Sequence, residues 1–172
     1  GTERRAGVWC IDAAADPEST PPLDKLGPEG VGIGADQLAD LFAANSMRVH
    51  GFLRDQHLVA GLGRRLANEV CWQAQVSPFA TTKKLGADGA ATIAAAIDAC
   101  ATEGLVYERT RDDMSSSKDR PSEVHGRTGE ACSRCGDTIR AVEYSGYTVN
   151  YCPTCQTNGK TLADNTTSKF LK

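Results

Sequence analysis

Four cysteines near the C-terminus constrain the fold of this chain more than any other feature. They form two Cys-x2-Cys pairs, Cys132 with Cys135 and Cys152 with Cys155, and sixteen residues separate the pairs. Four thiolates at this spacing can close a tetrahedron around Zn²⁺, with each sulfur ~2.3 Å from the metal. Because four sulfurs leave no position for water, we expect one zinc ion per chain, with a structural role.

Two disulfides are the alternative arrangement for these four cysteines. The sequence shows no secretory signal segment, and disulfides persist in oxidising compartments, so zinc is the favoured interpretation. The other three cysteines are scattered along the chain. Two of them, Cys71 and Cys100, are predicted to be small core residues within helices.

The residues between the two cysteine pairs predict a β-hairpin. Residues 138–144 and 147–151 alternate in side-chain character, and Ser145-Gly146 between them is a turn signal. We therefore expect two short antiparallel strands whose outer ends are both held by the metal.

Helical spacing of apolar residues dominates the middle of the chain. Asp36 is a plausible first N-cap, and Pro78 would end the third helix. The predicted helices cover residues 35–46, 47–54, 64–75 and 88–109. The apolar stripe of the last helix is assigned to core packing and consists of Ile93, Ile97, Cys100, Ala101 and Leu105.

Two segments lack this periodicity. Residues 12–34 are rich in Pro, Gly, Ala and Asp and are predicted to form a linker. Residues 110–123 are polar and are predicted to be a mobile loop or linker. Ahead of the first segment, the apolar run from Val8 to Ile11 predicts an isolated strand, as at the end of another domain.

Charge is distributed unevenly. The formal net charge is −3, yet six basic residues fall within eighteen positions, and such a cluster can bind phosphate on an acidic protein. An ordinary solvated helix face is the alternative interpretation. With no run of about 18 apolar residues, the chain is predicted not to span a membrane. The clustered residues are Arg48, His50, Arg54, His57, Arg64 and Arg65.

Several motifs together carry a family resemblance over roughly residues 23–172. Each is weak alone, but their order along the chain resembles the C-terminal half of the formamidopyrimidine-DNA glycosylase and endonuclease VIII family. The motifs are Leu53-Arg54-Asp55-Gln56, Val59-Ala60-Gly61-Leu62-Gly63, Val124-His125-Gly126-Arg127-Thr128-Gly129, the four cysteines, and Tyr151-Cys152-Pro153-Thr154-Cys155-Gln156.

The resemblance implies a mainly α fold with a small β-hairpin. Residues 1–30 would be the end of an N-terminal catalytic domain and a linker. Residues 31–110 would form a helix–two-turn–helix DNA-binding domain, and residues 111–172 a loop and a four-cysteine β-hairpin zinc finger.

The resemblance also implies DNA contacts, and three of them depart from the family pattern. Arg64 stands where an Asn usually follows the Gly-x-Gly turn, His50 where a Lys is common, and Tyr147 where the finger usually carries an Arg. The motifs therefore do not specify which lesion is preferred. The full set of expected DNA contacts is Gly61, Gly63, Arg64, Arg65, His50, Arg127 and Tyr147.

The implied function is damaged-DNA binding within base excision repair. The family's nucleophile is an N-terminal proline, whereas this chain begins Gly1-Thr2-Glu3, so no catalytic residue is assigned. We expect a monomeric DNA-gripping fragment of a DNA glycosylase with AP lyase activity, separated from its catalytic domain. Its ligand would be double-stranded DNA with damaged bases or abasic sites, in the cytoplasm at the nucleoid. A non-catalytic zinc-finger module acting alone, or a zinc ribbon that binds no DNA, are the alternatives.

Overall fold

The computed structural model describes residues 19–21, 23–111, 120–144 and 146–162, and the elements within those ranges confirm a mainly α fold with one hairpin. The predicted strand at residues 8–11 lies outside the described residues. The helices are α1 (Ala35–Ala44), α2 (Val49–Arg54), α3 (Arg64–Gln73), α4 (Thr82–Arg109) and α5 (Pro153–Thr157), after a short 3-10 helix (Leu23–Lys25), and the strands are β1 (Arg140–Tyr144) and β2 (Tyr147–Tyr151).

Helices α1 to α4 enclose one apolar core. The Phe42 and Phe52 rings meet edge to face, with centroids 5.0 Å apart and an interplanar angle of 89°, which joins α1 to α2. Cys71 is buried in α3 and Cys100 half-buried in α4, as predicted. The fully buried side chains of this core include Leu38, Val49, Leu53, Val59, Ala67, Val70, Ala90 and Ile93.

Besides shifts of two residues at the ends of α1, α2 and α3, the helices differ from prediction in three respects. The N-cap of α1 is Gly34 and not Asp36, which lies in the first turn. Helix α4 begins at Thr82 and not at Asp88, because a kink at Gly86 (φ 60°, ψ −158°) joins a first turn to the main helix. Leu105 is 50% exposed, so the core stripe of α4 ends before it.

Helix α4 is long and apolar enough to cross a membrane by length and composition alone. In the structure it packs against α1 and α3, and Ala90, Ile93 and Ile97 are buried there. A core helix of a helical domain passes the same test, so this property is weak evidence for a membrane span.

The segment before α1 is tied to the helical domain, so the prediction of a linker is wrong for residues 27–34. The Gly27 amide donates to the Gln56 carbonyl at 2.8 Å, and the Ala60 amide donates to the Pro28 carbonyl at 2.8 Å. Ile33 is buried in the core. Proline and glycine content alone did not reveal these long-range hydrogen bonds.

The two strands of the hairpin lie within the two alternating segments that the sequence predicted. Arg140 pairs with Tyr151, Val142 with Val149, and Tyr144 with Tyr147 at the turn end. Because alternate residues share a face of a strand, these pairs all project from one side of the hairpin.

Helix α3 holds the finger against the helical domain. Its Glu69 carboxylate accepts three backbone hydrogen bonds, from Glu123 (2.7 Å), Val124 (3.1 Å) and His125 (2.8 Å). The residue before it, Asn68, accepts from the Asn150 amide of β2 at 3.2 Å. Residues 123–125, of which Glu123 belongs to the predicted loop, are thereby fixed along α3.

Replacing Glu69 with alanine should loosen this junction. Three partly buried amides would lose their acceptor, so we expect the free energy of unfolding to fall by about 2–3 kcal/mol. Urea denaturation followed by circular dichroism measures the loss. Glu103→Ala, which removes an exposed carboxylate from α4, is the control. Equal stability of the two variants would contradict the role of Glu69.

Candidate zinc centre and nucleic-acid interface

The four cysteine sulfurs converge as a metal site requires. All four sulfur atoms lie within 4.8 Å of one another. The Sγ atoms of Cys132 and Cys155 are 3.9 Å apart, and those of Cys135 and Cys152 are 3.4 Å apart. A tetrahedron with ~2.3 Å zinc–sulfur bonds has edges of about 3.8 Å, so the sulfur cage fits Zn²⁺.

Polar partners fix the two knuckles that carry the cysteines. The Trp72 Nε1–H of α3 points at Cys132 Sγ, 3.4 Å away, and the Gln156 side chain accepts from the Cys152 amide at 2.9 Å. The Asp137 carboxylate accepts from the Thr154 hydroxyl at 2.8 Å, and this bond is the main cause that lowers the pKa of Asp137. Hydrogen bonds of this kind orient metal ligands.

The turn before α3 offers backbone donors at the protein surface. Gly61 has a φ of +82°, a conformation that favours glycine, and a Cβ there would collide with the Glu29 carboxylate. Its amide already donates to Gln56 Oε1 at 3.0 Å. Gly63 is the exposed N-cap of α3 and makes no side-chain cap hydrogen bond, so the first amides of this helix have no side-chain cap.

Arg64 connects this helix end to the tip of the hairpin. Its Nη1 donates to the Gly146 carbonyl at 3.0 Å. The two elements border a cleft of about 510 Å³. Its lining residues are Arg64, His125, Glu143, Tyr144, Gly146, Tyr147 and Thr148.

Two of the arginines predicted to contact DNA make hydrogen bonds within the protein. Arg65 donates from Nη2 to the backbone carbonyls of Arg120 and Pro121, and so anchors the segment that follows the loop. Arg127 donates to the Glu130 carboxylate at 2.9 Å and from Nη1 to the Ser122 and Glu123 carbonyls. Internal acceptors thus occupy both guanidinium groups, which neither the spacing nor the charge pattern could indicate.

His50 and Tyr147 lie together, with His50 in the interior. His50 is 3% exposed, and its ring is parallel to that of Tyr147 with centroids 6.0 Å apart. Burial, followed by the charge of Arg54, lowers the pKa of His50 to about 4. The imidazole is therefore neutral at pH 7, and any phosphate contact by His50 would not be ionic.

Three residues that the sequence did not single out individually join this region. Tyr144 stacks on Tyr147, with centroids 4.8 Å apart and an interplanar angle of 10°. Arg48 donates to the Tyr144 hydroxyl at 2.5 Å, and the Arg54 guanidinium carbon lies 3.8 Å from the centre of the Tyr147 ring. The hairpin register was the available signal for Tyr144, because it pairs the two tyrosines across the turn.

Known proteins resemble this chain both in its zinc finger and over most of its length. Residues 129–158 match a family model described as a zinc finger found in FPG and IleRS. A formamidopyrimidine-DNA glycosylase-like protein of Mycobacterium tuberculosis (strain ATCC 25618 / H37Rv) is 36% identical over 155 residues, covering 89% of this chain and 98% of that protein. With the sulfur cage, the finger match assigns one structural zinc ion.

Longer relatives match over part of their length. The formamidopyrimidine-DNA glycosylase of Shewanella sp. (strain MR-4) is 28% identical over 163 residues, which are 90% of this chain and 60% of the enzyme. A solved complex between the Lactococcus lactis Fpg and an abasic site containing DNA is 26% identical, with a TM-score of 0.68. The match covers 77% of this chain and 52% of that one.

Removal of the metal should be visible at Trp72, since its indole lies against a zinc ligand. In a Trp9→Phe background, which leaves Trp72 as the only tryptophan, we expect a chelator to change the fluorescence and added Zn²⁺ to restore it. Elemental analysis of the untreated protein should give one zinc per chain. Protein that carries no zinc, with Trp72 emission insensitive to chelator, would contradict the assignment.

The depressed pKa of His50 predicts a pH-dependent stability. The unfolded chain takes up a proton on this residue near pH 6.5, whereas the folded chain does so only near pH 4. The contribution is therefore complete above about pH 6.5 and is lost as the pH falls toward about 4. Relative to His50→Gln, the wild-type protein should lose about 1 kcal/mol between pH 7 and about 5.5. Urea titrations of both proteins measure this difference, and parallel pH profiles would contradict it.

Proposed function

Since this chain belongs to the formamidopyrimidine-DNA glycosylase family, we propose that it binds double-stranded DNA containing damaged bases or abasic sites. The observation that carries the proposal is the hydrogen bond from Arg64 to the Gly146 carbonyl, at 3.0 Å. It joins the N-terminus of α3 and the tip of the hairpin into one surface. Both elements can therefore meet the same DNA backbone.

Elementary electrostatics supports phosphate as the ligand of this surface. The helix dipole places partial positive charge at the N-terminus of α3, where Gly63 presents backbone without a side chain. Arg64 is exposed beside it. Contacts of this kind fix the position of a duplex without reading its base sequence. They suit a protein whose target is defined by damage and by ease of base extrusion.

The catalytic part of the proposal concerns the longer protein. The chain spans about 60% of the length of the Shewanella glycosylase that it matches. We infer that it supplies the DNA grip of a glycosylase with AP lyase activity, while the N-terminal proline nucleophile would come from a separate catalytic domain. A monomer in the cytoplasm, associated with the nucleoid, is the proposed working state.

A second candidate is a DNA-binding module that acts without catalysis. The Mycobacterium tuberculosis relative favours it, because this chain matches 98% of that protein and 60% of the Shewanella enzyme. Such a module would occupy damaged or abasic sites and leave the chemistry to another protein.

Borohydride trapping on an abasic-site duplex tests whether this chain carries a nucleophile of its own, which neither candidate expects. A module without the nucleophile should bind the duplex but form no covalent adduct, since a Schiff base requires an attacking amine. A borohydride-stable adduct on this chain would show that it carries its own nucleophile. Absence of binding even at low salt, where phosphate contacts are strongest, would reject DNA binding altogether.

Replacing Arg64 with alanine tests the surface itself. We expect weaker binding to all duplexes alike and a salt dependence reduced by about one phosphate contact. Fluorescence anisotropy of labelled undamaged and abasic-site duplexes at several salt concentrations measures both effects. The matched control is Arg109→Ala, which removes an exposed arginine from the C-terminal end of α4. A loss confined to the abasic-site duplex would mean that Arg64 recognises the lesion.

A further inference from the structure

Three side chains lie against the Tyr147 ring. Tyr144 stacks on it with ring centroids 4.8 Å apart, the His50 ring is parallel to it at 6.0 Å, and the Arg54 guanidinium carbon lies 3.8 Å from the ring centre. A nucleobase would have to compete with these side chains in order to stack on Tyr147. The geometry therefore makes Tyr147 a support for Arg54.

Arg54 reaches Tyr147 from α2, a different element from the hairpin. Arg54 is half-buried at the last position of α2, one turn after His50. An arginine placed flat on an aromatic ring is held by cation–π attraction and keeps its planar edge open for hydrogen bonds. Stacking thus fixes the direction of the guanidinium while its donors stay available.

No hydrogen-bond acceptor or ion-pair partner for the Arg54 side chain occurs among the described residues. The closest acidic side chain in sequence, Asp55, accepts from the His57 amide at 3.0 Å. The imidazole of His50, four residues before Arg54, is neutral at pH 7. A fixed, partly desolvated cation with unused donors is suited to an anionic ligand with several oxygens.

Two further arginines lie around the same tyrosine pair. Arg48 donates to the Tyr144 hydroxyl at 2.5 Å, and Arg64 donates to the Gly146 carbonyl at 3.0 Å. Neither forms a salt bridge within the part of the chain that the structure describes. Glu143, the acidic residue of the cleft, accepts from Thr148 at 2.8 Å. The surface at the hairpin tip therefore concentrates positive charge.

We propose that Arg54, positioned by Tyr147, forms a phosphodiester-binding site with Arg48 and Arg64 at the tip of the hairpin. The site rests on the proposed function and refines it, because it assigns the main cation to α2. The bidentate edge of Arg54 takes two phosphate oxygens, and Tyr147 acts as a positioning residue without contacting the DNA.

Five proteins test the site in anisotropy titrations of a labelled abasic-site duplex over a range of KCl concentrations. They are the wild-type chain, Arg54→Ala, Tyr147→Leu, Tyr147→Phe and the control Arg109→Ala. Arg54→Ala should weaken binding by about 5- to 10-fold at 0.1 M salt and reduce the salt slope by about one. Arg109→Ala removes the same charge from an exposed position on α4 and should change binding less than about twofold.

The tyrosine variants separate positioning from charge. Tyr147→Leu leaves every arginine in place, so it should weaken binding while changing the salt slope less than Arg54→Ala does. Tyr147→Phe keeps the aromatic face and should restore most of the affinity. Combining Arg54→Ala with Tyr147→Leu should add little to Arg54→Ala alone, because the ring acts through the guanidinium.

Zinc content and thermal unfolding establish that each variant is folded. If Arg54→Ala is unstable, Arg54→Gln replaces it, because glutamine keeps a long polar side chain. Binding by the Arg54 variants equal to that of Arg109→Ala would overturn the site. A larger loss in Tyr147→Leu than in Arg54→Ala would also overturn it, since that result means direct stacking of a base on the tyrosine. If the wild-type chain binds no duplex even at low salt, the proposed function fails first and the site fails with it.

Discussion

The contact between α3 and the zinc finger is the interaction on which the rest of the structure depends. Trp72 packs against the cysteine knuckles, and Glu69 accepts hydrogen bonds from the backbone that leads into them. The zinc closes the finger, but the finger has a fixed direction only because α3 receives it. The N-terminus of the same helix is the proposed phosphate contact. Helix α3 therefore fixes the position of the zinc finger relative to that contact.

This arrangement accounts for the polar character of the junction. Asn68 and Asn150 are buried, and Asn68 also lies 2.8 Å from His125 Nδ1. Buried amides need partners, so a displaced finger would leave several donors unsatisfied. Hydrogen bonds specify the angle between finger and helix more narrowly than apolar packing would. A surface that must match the spacing of DNA phosphates needs a defined angle of this kind.

Local patterns in the sequence predicted the local structure well. The cysteine spacing indicated the sulfur cage, and side-chain alternation around a turn signal indicated the hairpin. The roles of the arginines could not be predicted in this way. Arg54, Arg64 and Arg65 look equivalent in sequence, yet only long-range packing decides which guanidinium meets internal carbonyls and which stays available. The packing of residues 27–34 could not be predicted for the same reason, since the partners of this segment are far away along the chain.

The central claim is that the start of α3, the end of α2 and the hairpin tip form a single DNA-binding surface. Amide and arginine side-chain chemical shifts of the ¹⁵N-labelled zinc-loaded chain, recorded during addition of an abasic-site duplex, test it most directly. We expect the amides of Gly63, Arg64 and Gly146 and the Nε–H of Arg54 to shift together, with one common dissociation constant. Shifts confined to one of these elements, or centred on the exposed C-terminal end of α4, would contradict the account.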